Sequence, residues 1–256
     1  MNPRVAALLV THESVEFLEE TLASIDDQDT PAVLRLAIDD HSTDGTLEAL
    51  RDHGFEIRWA TSPSLETTTR IAHNFLQGLR WARDLGVEIV ILGDHDDVWH
   101  SSRITHQCHV LDDNPSAAMI ASNGFLIDEH GVALPGTLRD TFPVPAEFPS
   151  WSTRHQWTFA LGHSLATGGA SALRPTALSD WAIPHGWLHD RWWSLRSLRE
   201  RALIIDPTVV IDYRVGSAQQ VGLDTGNQHS RGSWLLSKAR NSIRTVSRSR
   251  DLSRLT

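Results

Sequence analysis

Long apolar stretches are missing from this chain. The longest purely apolar run in its 256 residues is Val5 to Val10, far short of the roughly 18 residues a membrane-spanning helix needs. A spanning protein is therefore excluded. No basic stretch, apolar block and cleavage site opens the chain, so no secretory leader is expected. Cysteine occurs once, at Cys108, which rules out an internal disulfide and favours a reducing compartment; the expected location is the cytoplasm. Cofactor fingerprints are missing too. No Gly-x-Gly-x-x-Gly follows the first apolar run and no Gly-x-x-x-x-Gly-Lys occurs, so dinucleotide enzymes and P-loop NTPases fit poorly. There is no Gly-x-Ser-x-Gly elbow, which weakens an α/β-hydrolase reading. Lysine occurs once against 22 arginines, and no functional reading attaches to that skew.

What is present is enough apolar residue, 40%, to bury a core. The net charge of -9 is unevenly spread. Residues 231–256 hold seven bases and one acid, a local charge of +6, and the rest holds 16 bases and 31 acids, a charge of -15. The acidic body argues against a nucleic-acid binder. The basic tail has two readings. Trp234, Leu235, Ala239, Ile243 and Val246 fall broadly on one side of a helix, a pattern that lies on anionic membrane surfaces. A frayed, solvated terminus is the alternative.

The first half alternates strand-like and helix-like segments. Val5–Val10 reads as a strand and Phe17, Leu18, Leu22 and Ile25 as a helix face. Leu34–Ile38 reads as a second strand, Leu47 to His53 as a helix stopped by Gly54, and Phe55–Ala60 as a third strand. Ser62-Pro63 suits the start of a helix whose buried face is Ile71, Phe75, Leu79 and Ala82. Val87–Leu92 is apolar but for Glu88 and reads as a strand covered on both faces. This alternation predicts an α/β fold with a mostly parallel sheet flanked by helices. In the second half, Ala117–Ile127 reads as one or two strands, 135–150 as a loop, Trp151 to Phe159 as a helix or lid, and Leu203–Ile205 and Thr208–Ile211 as short strands flanking Pro207.

Ligands of open parallel sheets bind beyond the carboxyl ends of the strands. Asp39 and Asp40 follow the second strand, and Asp94, Asp96 and Asp97 follow the fourth. Three carboxylates on one turn call for a positive partner, and Mg²⁺ or Mn²⁺ takes one or two carboxylates together with a substrate diphosphate. The plain alternative is a solvated turn, with Asp97 capping the helix through Ile104. Ser42 and Asp44 read as turn and cap residues, whereas Asp40 can accept from a base N–H. His189-Asp190 opens a Trp-rich segment whose apolar neighbours would raise a carboxyl pKa; a surface Asp at a helix start is the competing reading. His106 and His109 admit a zinc site by spacing, but no paired Cys or His-Glu-x-x-His accompanies them, so an exposed polar helix face is preferred and a nucleophilic Cys108 is weak.

Together these landmarks resemble the inverting family 2 glycosyltransferases of the GT-A fold, rhamnosyltransferase-like branch, over residues 4 to about 222. Ile38-Asp39-Asp40-His41-Ser42-Thr43-Asp44-Gly45-Thr46 is similar to the family's "VDDGSTDGT", Gly93-Asp94-His95-Asp96-Asp97-Val98-Trp99 to its "DQDDVW", and His189-Asp190-Arg191-Trp192-Trp193 to its "HDWW". Thr167-Gly168-Gly169-Ala170 resembles an acceptor-side glycine segment, and Asp212-Tyr213-Arg214 with Gln220-Val221-Gly222 the closing "YRQH…N.VG". The family's "TYN" is Thr11-His12-Glu13 here, and its closing histidine is Gly216.

The resemblance implies transfer of a sugar, with inversion, from a dTDP- or UDP-sugar donor to a saccharide or lipid-linked acceptor. It implies Asp190 as catalytic base and Thr11, Glu13, Asp40 and Asp94 at the donor. It further implies Asp94 and Asp96 on Mg²⁺ or Mn²⁺, and Gly168, Gly169, His189, Trp192 and Trp193 at the acceptor. The halves would be 1–112 for the donor and 113–222 for acceptor and base, followed by the 223–256 tail. A sugar-nucleotide nucleotidyltransferase, or a catalytically silent nucleotide-sugar-binding homologue, is the alternative.

Overall fold

The computed structural model describes residues 5–30, 33–62, 64 and 66–215. Gly216, the Gln220-Val221-Gly222 segment and the basic tail lie outside the described residues. Strand β1 (Val5–Thr11) leads to helix α1 (Val15–Asp26), β2 (Val33–Asp39), α2 (Thr46–Asp52), β3 (Glu56–Trp59), α3 (Thr67–Asp84) and β4 (Ile89–Gly93). These pair in parallel in the order β3-β2-β1-β4, as the strand–helix alternation requires. Every residue of β4 is buried. Helix α3 lies so close to β1 that a Cβ on Gly78 would sit 2.5 Å from Leu8 Cδ1.

The second half continues the same sheet. It comprises β5 (Val98–Trp99), α4 (Arg103–Asp113), β6 (Met119–Ile127), β7 (Ala133–Thr137), α5 (Leu138–Thr141), α6 (Thr153–Gly162), β8 (Ser171–Leu173), α7 (Pro175–Leu178), α8 (His189–Arg199) and β9 (Leu203–Arg214). The three-residue strand β8 joins the halves, antiparallel to both β4 and β6. Strand β9 runs parallel to β6 and antiparallel to β5.

Four sequence expectations are corrected. Helix α3 starts at Thr67, not near Ser62, because the Glu66 carboxylate accepts the free N–H groups of Thr68 and Thr69. Asp97 caps nothing; Ser102 precedes α4. Residues 135–150 are not simply a loop, since part of β7, all of α5 and a 3₁₀ turn at Phe148–Ser150 lie there. Pro207 does not split two strands. It sits in the irregular stretch of β9 where the ladder to β6 steps from Ala121↔Ile205 to Asn123↔Val209, the kind of break that tolerates a missing N–H.

Candidate active site

The strand order turns round at β1, with β2 and β3 on one side and β4 on the other, so a crevice opens above the ends of β1 and β4. At its β2 side the two aspartates divide the work. Asp39 is fully buried and accepts from Thr11 Oγ1 at 2.8 Å, Ser42 N–H at 2.8 Å and Ser42 Oγ at 2.7 Å. Asp40 is only partly covered, and Arg70 Nε of α3 lies 2.6 Å from its Oδ2. Thr11 therefore spends its hydroxyl on Asp39. Glu13, in left-handed backbone (φ 47°), accepts from Thr43 N–H at 2.9 Å and Thr43 Oγ1 at 3.1 Å. Both side chains brace the 39–43 turn. Asp44 accepts from Thr46 and from the N–H of Val15, as a turn residue should.

The acidic turn after β4 is held from three directions. Asp94 Oδ2 accepts the Gly169 N–H at 3.1 Å. Asp97, fully buried, accepts the Arg214 N–H on Oδ1 at 3.2 Å, while its Oδ2 has no hydrogen-bond partner. Arg214 also donates from Nε to Asp96 O at 2.9 Å, from Nη1 to Asp128 O at 3.2 Å, and pairs with Glu20. Beneath the turn, fully buried Arg103 donates to Leu92 O at 2.6 Å and lies with its guanidinium 3.9 Å from the Trp99 ring centroid. Burial, then the neighbouring Asp96 and Asp190 charges, push Asp94 up to about 7. Burial and the same kind of repulsion, from Asp96 and Asp94, push Asp97 well above its ordinary value. Burial lowers Arg103 to about 9, so it remains a cation. The turn thus concentrates negative charge that one buried arginine only partly offsets.

Gly168 and Gly169 precede β8, whose pairing with β4 carries them to the acidic turn. A Cβ on Gly169 would lie 2.0 Å from Asp97 Oδ2, and one on Gly168 2.7 Å from His189 Nε2. Glycine is required here by close approach. His189 opens α8, is buried, stacks on Phe75 at 3.8 Å between centroids, and has no partner for either ring nitrogen. Burial lowers it to about 3, which keeps it neutral. Asp190 follows in the first helical turn. Burial raises its carboxyl to about 6 against the N–H groups of Arg191 and Gly168, which pull it down. Trp192 is 3% exposed and Trp193 0%; Trp192 packs edge-on to Trp187 and Trp193 edge-on to His189, so neither presents an open face to an acceptor.

Asp40, Asp94, Asp96, Asp190, Gly168, Gly169 and His189 thus belong to one end of the sheet. The bracing roles of the arginines at 70, 103 and 214 were missed, because no sequence mark separates an arginine that reaches back to a distant turn from a solvated one. The histidines after the acidic turn do not gather: His100 meets Asp212 at 2.8 Å and His106 meets Asp206 at 2.9 Å. Among the described residues no group of three or more His, Cys, Asp or Glu side chains forms a ready metal site. Buried Cys108 is pushed up to about 12 by desolvation and is no nucleophile.

No curated protein is matched by the sequence. Among solved structures, the chain is similar to the mannosyltransferase PcManGT from Pyrobaculum calidifontis, in complex with GDP-Man and Mn²⁺. The identity is 20% and the TM-score 0.64, over 97% of this chain and 64% of that one. TarS 1-349 from S. aureus with UDP matches at 15% identity and TM-score 0.60, over 83% and 60%. Glucosyl-3-phosphoglycerate synthase from Mycobacterium tuberculosis, with Mn²⁺, UDP and glucosyl-3-phosphoglycerate, matches at 14% and 0.57, over 96% and 79%. The chain thus spans less than two thirds of the first two structures it matches. These likenesses establish the fold. A family model described as "Glycosyl transferase family 2" matches residues 7–174, which is 168 of the 256 positions and includes both aspartate clusters and the glycine pair, and so the chain belongs to the family 2 glycosyltransferases.

Proposed function

We propose that the protein moves a sugar from a nucleoside diphosphate donor to an acceptor hydroxyl with inversion, and that Asp190 is the base. The observation that supports this most is the position of Asp190. It is a carboxylate tuned to about 6 by burial, bonded to Gly168, in electrostatic contact with Asp94 across the same crevice. A base with that value is ionised at neutral pH yet still a useful proton acceptor. Asp190 would take the proton of the acceptor hydroxyl as that oxygen bonds to the anomeric carbon, on the face opposite the departing diphosphate oxygen. Neutral His189, buried with its nitrogens unpartnered beside Gly168, would support the acceptor side from beneath that glycine. Asp40 with Arg70 would read the base of the donor. In this reading residues 1–112 serve the donor and 113–222 the acceptor.

The acidic turn fits a divalent cation. Its donors are hard carboxylate oxygens, Asp97 Oδ2 is orphaned beside them, and Asp94 is within electrostatic reach of both Asp96 and Asp190. Asp94 and Asp96 would hold Mg²⁺ or Mn²⁺, with a substrate diphosphate completing the ligand set; when bound, such an ion supplies Lewis-acid charge against the leaving diphosphate. Two of the structural neighbours were solved with Mn²⁺. The resemblance to "DQDDVW" and "HDWW" points to a dTDP-rhamnose donor.

A donor panel of UDP-, GDP- and dTDP-sugars, each with Mn²⁺ or Mg²⁺, read by thermal shift and then by transfer, tests the reading. Asp190→Asn is expected to keep donor binding and to lose transfer by about 10²-fold or more. Turnover near the parent's in that variant would remove Asp190 as the base.

A further inference from the structure

A second concavity lies away from the crevice, between α6 and α8. Helix α6 packs against α8 in antiparallel fashion: Arg191 near the start of α8 donates to Leu161 O near the end of α6, and Arg201 just past the end of α8 reaches Thr153 at the start of α6. Where the start of α6 faces the end of α8, Thr153, Arg154, Trp157, Leu198 and Arg199 line a cavity of about 400 Å³.

Its charge is unbalanced. Among the described residues, Arg154, Arg199 and Arg201 form no ion pair. The acid beside them, Glu200, is committed to Arg196. The first turn of α6 contains no acid and carries Arg154 instead, so a basic side chain stands where the helix dipole favours a negative group. The surrounding body of the protein is strongly acidic, so this grouping is not a sample of a basic surface. Trp157 is half-buried and adds an apolar wall with an aromatic face. Guanidinium forks, a hydroxyl and an indole around one space suit an oxyanion attached to a carbon skeleton.

The cavity also has a defined place relative to the base. Asp190 and Arg199 are nine residues apart on α8, about 14 Å along its axis at 1.5 Å per residue and half a turn around it at 3.6 residues per turn. We infer that this cavity binds a phosphate or carboxylate group of an extended acceptor, more than about 14 Å from the hydroxyl that reacts. The assignment of the acceptor rests on the proposed transfer activity; the anion site itself does not.

The test separates the two. The full chain is labelled with ¹⁵N and titrated with inorganic phosphate, glycerol phosphate and neutral glycerol, and the Trp157 indole N–H resonance, assigned by its loss in Trp157→Phe, is followed. Phosphate and glycerol phosphate are expected to move it and glycerol is not. Arg154→Gln with Arg199→Gln should weaken the effect by about tenfold or more, and the matching pair of lysine variants should restore part of it. Both arginines are exposed, so both variants should fold as the parent does. An unmoved Trp157 resonance, or an equal shift in the glutamine variant, overturns the site. A phosphate response kept in Asp190→Asn shows that the site stands apart from catalysis. In a transfer assay the glutamine pair should raise KM for a phosphorylated acceptor while leaving a neutral one unchanged; equal losses on both would overturn the acceptor assignment. Sedimentation with phosphatidylglycerol vesicles distinguishes a lipid headgroup from an acceptor-borne anion: arginine-dependent pelleting, with no preference for phosphorylated acceptor, would replace the acceptor by the lipid.

Discussion

Replacing Gly169 by alanine tests how tightly the glycine segment is pressed against the acidic turn. The added Cβ would stand 2.0 Å from Asp97 Oδ2 and 3.1 Å from Asp94 Oδ2. Neither oxygen is the free end of a flexible chain. Asp97 is fully buried and held on its other oxygen by the Arg214 N–H, and Asp94 accepts the N–H of Gly169 itself. The strain must go into the β8 approach or the turn, and overpacking of this kind costs about 1–3 kcal/mol. For a chain of this size that corresponds to a fall in Tm of about 2–12 °C. Transfer should fall as well, since Asp94 moves with the strand. Gly162→Ala is the control. It lies at the end of α6 with no heavy atom within 4 Å of the added carbon, so it should stabilise by up to about 1 kcal/mol. Differential scanning calorimetry of the two variants gives opposite signs if the packing is as described. A Gly169→Ala protein that melts within about 1 °C of the parent and transfers at the parent's rate would refute the contact.

Two further predictions concern pH. Transfer should rise as pH passes through about 6 and level above neutrality, because Asp190, as the proposed base, would accept a proton only when ionised; a pH–rate profile with no inflection in that region would contradict it. Away from the site, Asp26 sits between His53, at 2.7 Å, and Arg35. Burial alone would raise Asp26, but its hydrogen bonds to His53 and Arg35 outweigh that and lower it; His53, which burial alone would lower, is raised by Asp26 and Glu19. The histidine's contribution is fully present below 6.5 and is lost as pH rises through its raised folded value. The aspartate's is present above 3.8 and is lost as pH falls through its lowered folded value. Urea midpoints of parent and His53→Gln should therefore converge as pH is taken from about 6 to 9.

Much of the fold was legible because β1, β2 and β4 are short, largely apolar runs followed by a turn or helix signal. The failures have local causes. Glu66 caps α3 through two backbone N–H groups, and glutamate is not the residue one looks for there. Strand β7 contains proline and glycine and is half exposed, so its alternation is faint. Pro207 looked like a break because the register slip that houses it is a property of two strands, not of one. In the candidate site, the carboxylates could be named from their places after strands β2 and β4, whereas Asp190 stood open beside its Trp-rich neighbours until the resemblance to "HDWW" singled it out. What could not be named was what holds them. Arg70 reaches Asp40 from 30 residues away and Arg214 reaches Asp96 from 118 residues away, and such pairings exist only once the sheet is closed.

The three residues of β8 carry a kinetic consequence. They pair with β4 some eighty positions earlier and with β6 about fifty earlier, and Arg214, which steadies Asp96 and Asp97, arrives later still in the chain. Contacts that close such long loops form slowly and late. The first four strands can settle their parallel register while the acidic turn still lacks Gly169 on one side and Arg214 on the other. During synthesis, therefore, the β2 side of the crevice settles before its β4 side, and no partly made chain has the acidic turn fully braced.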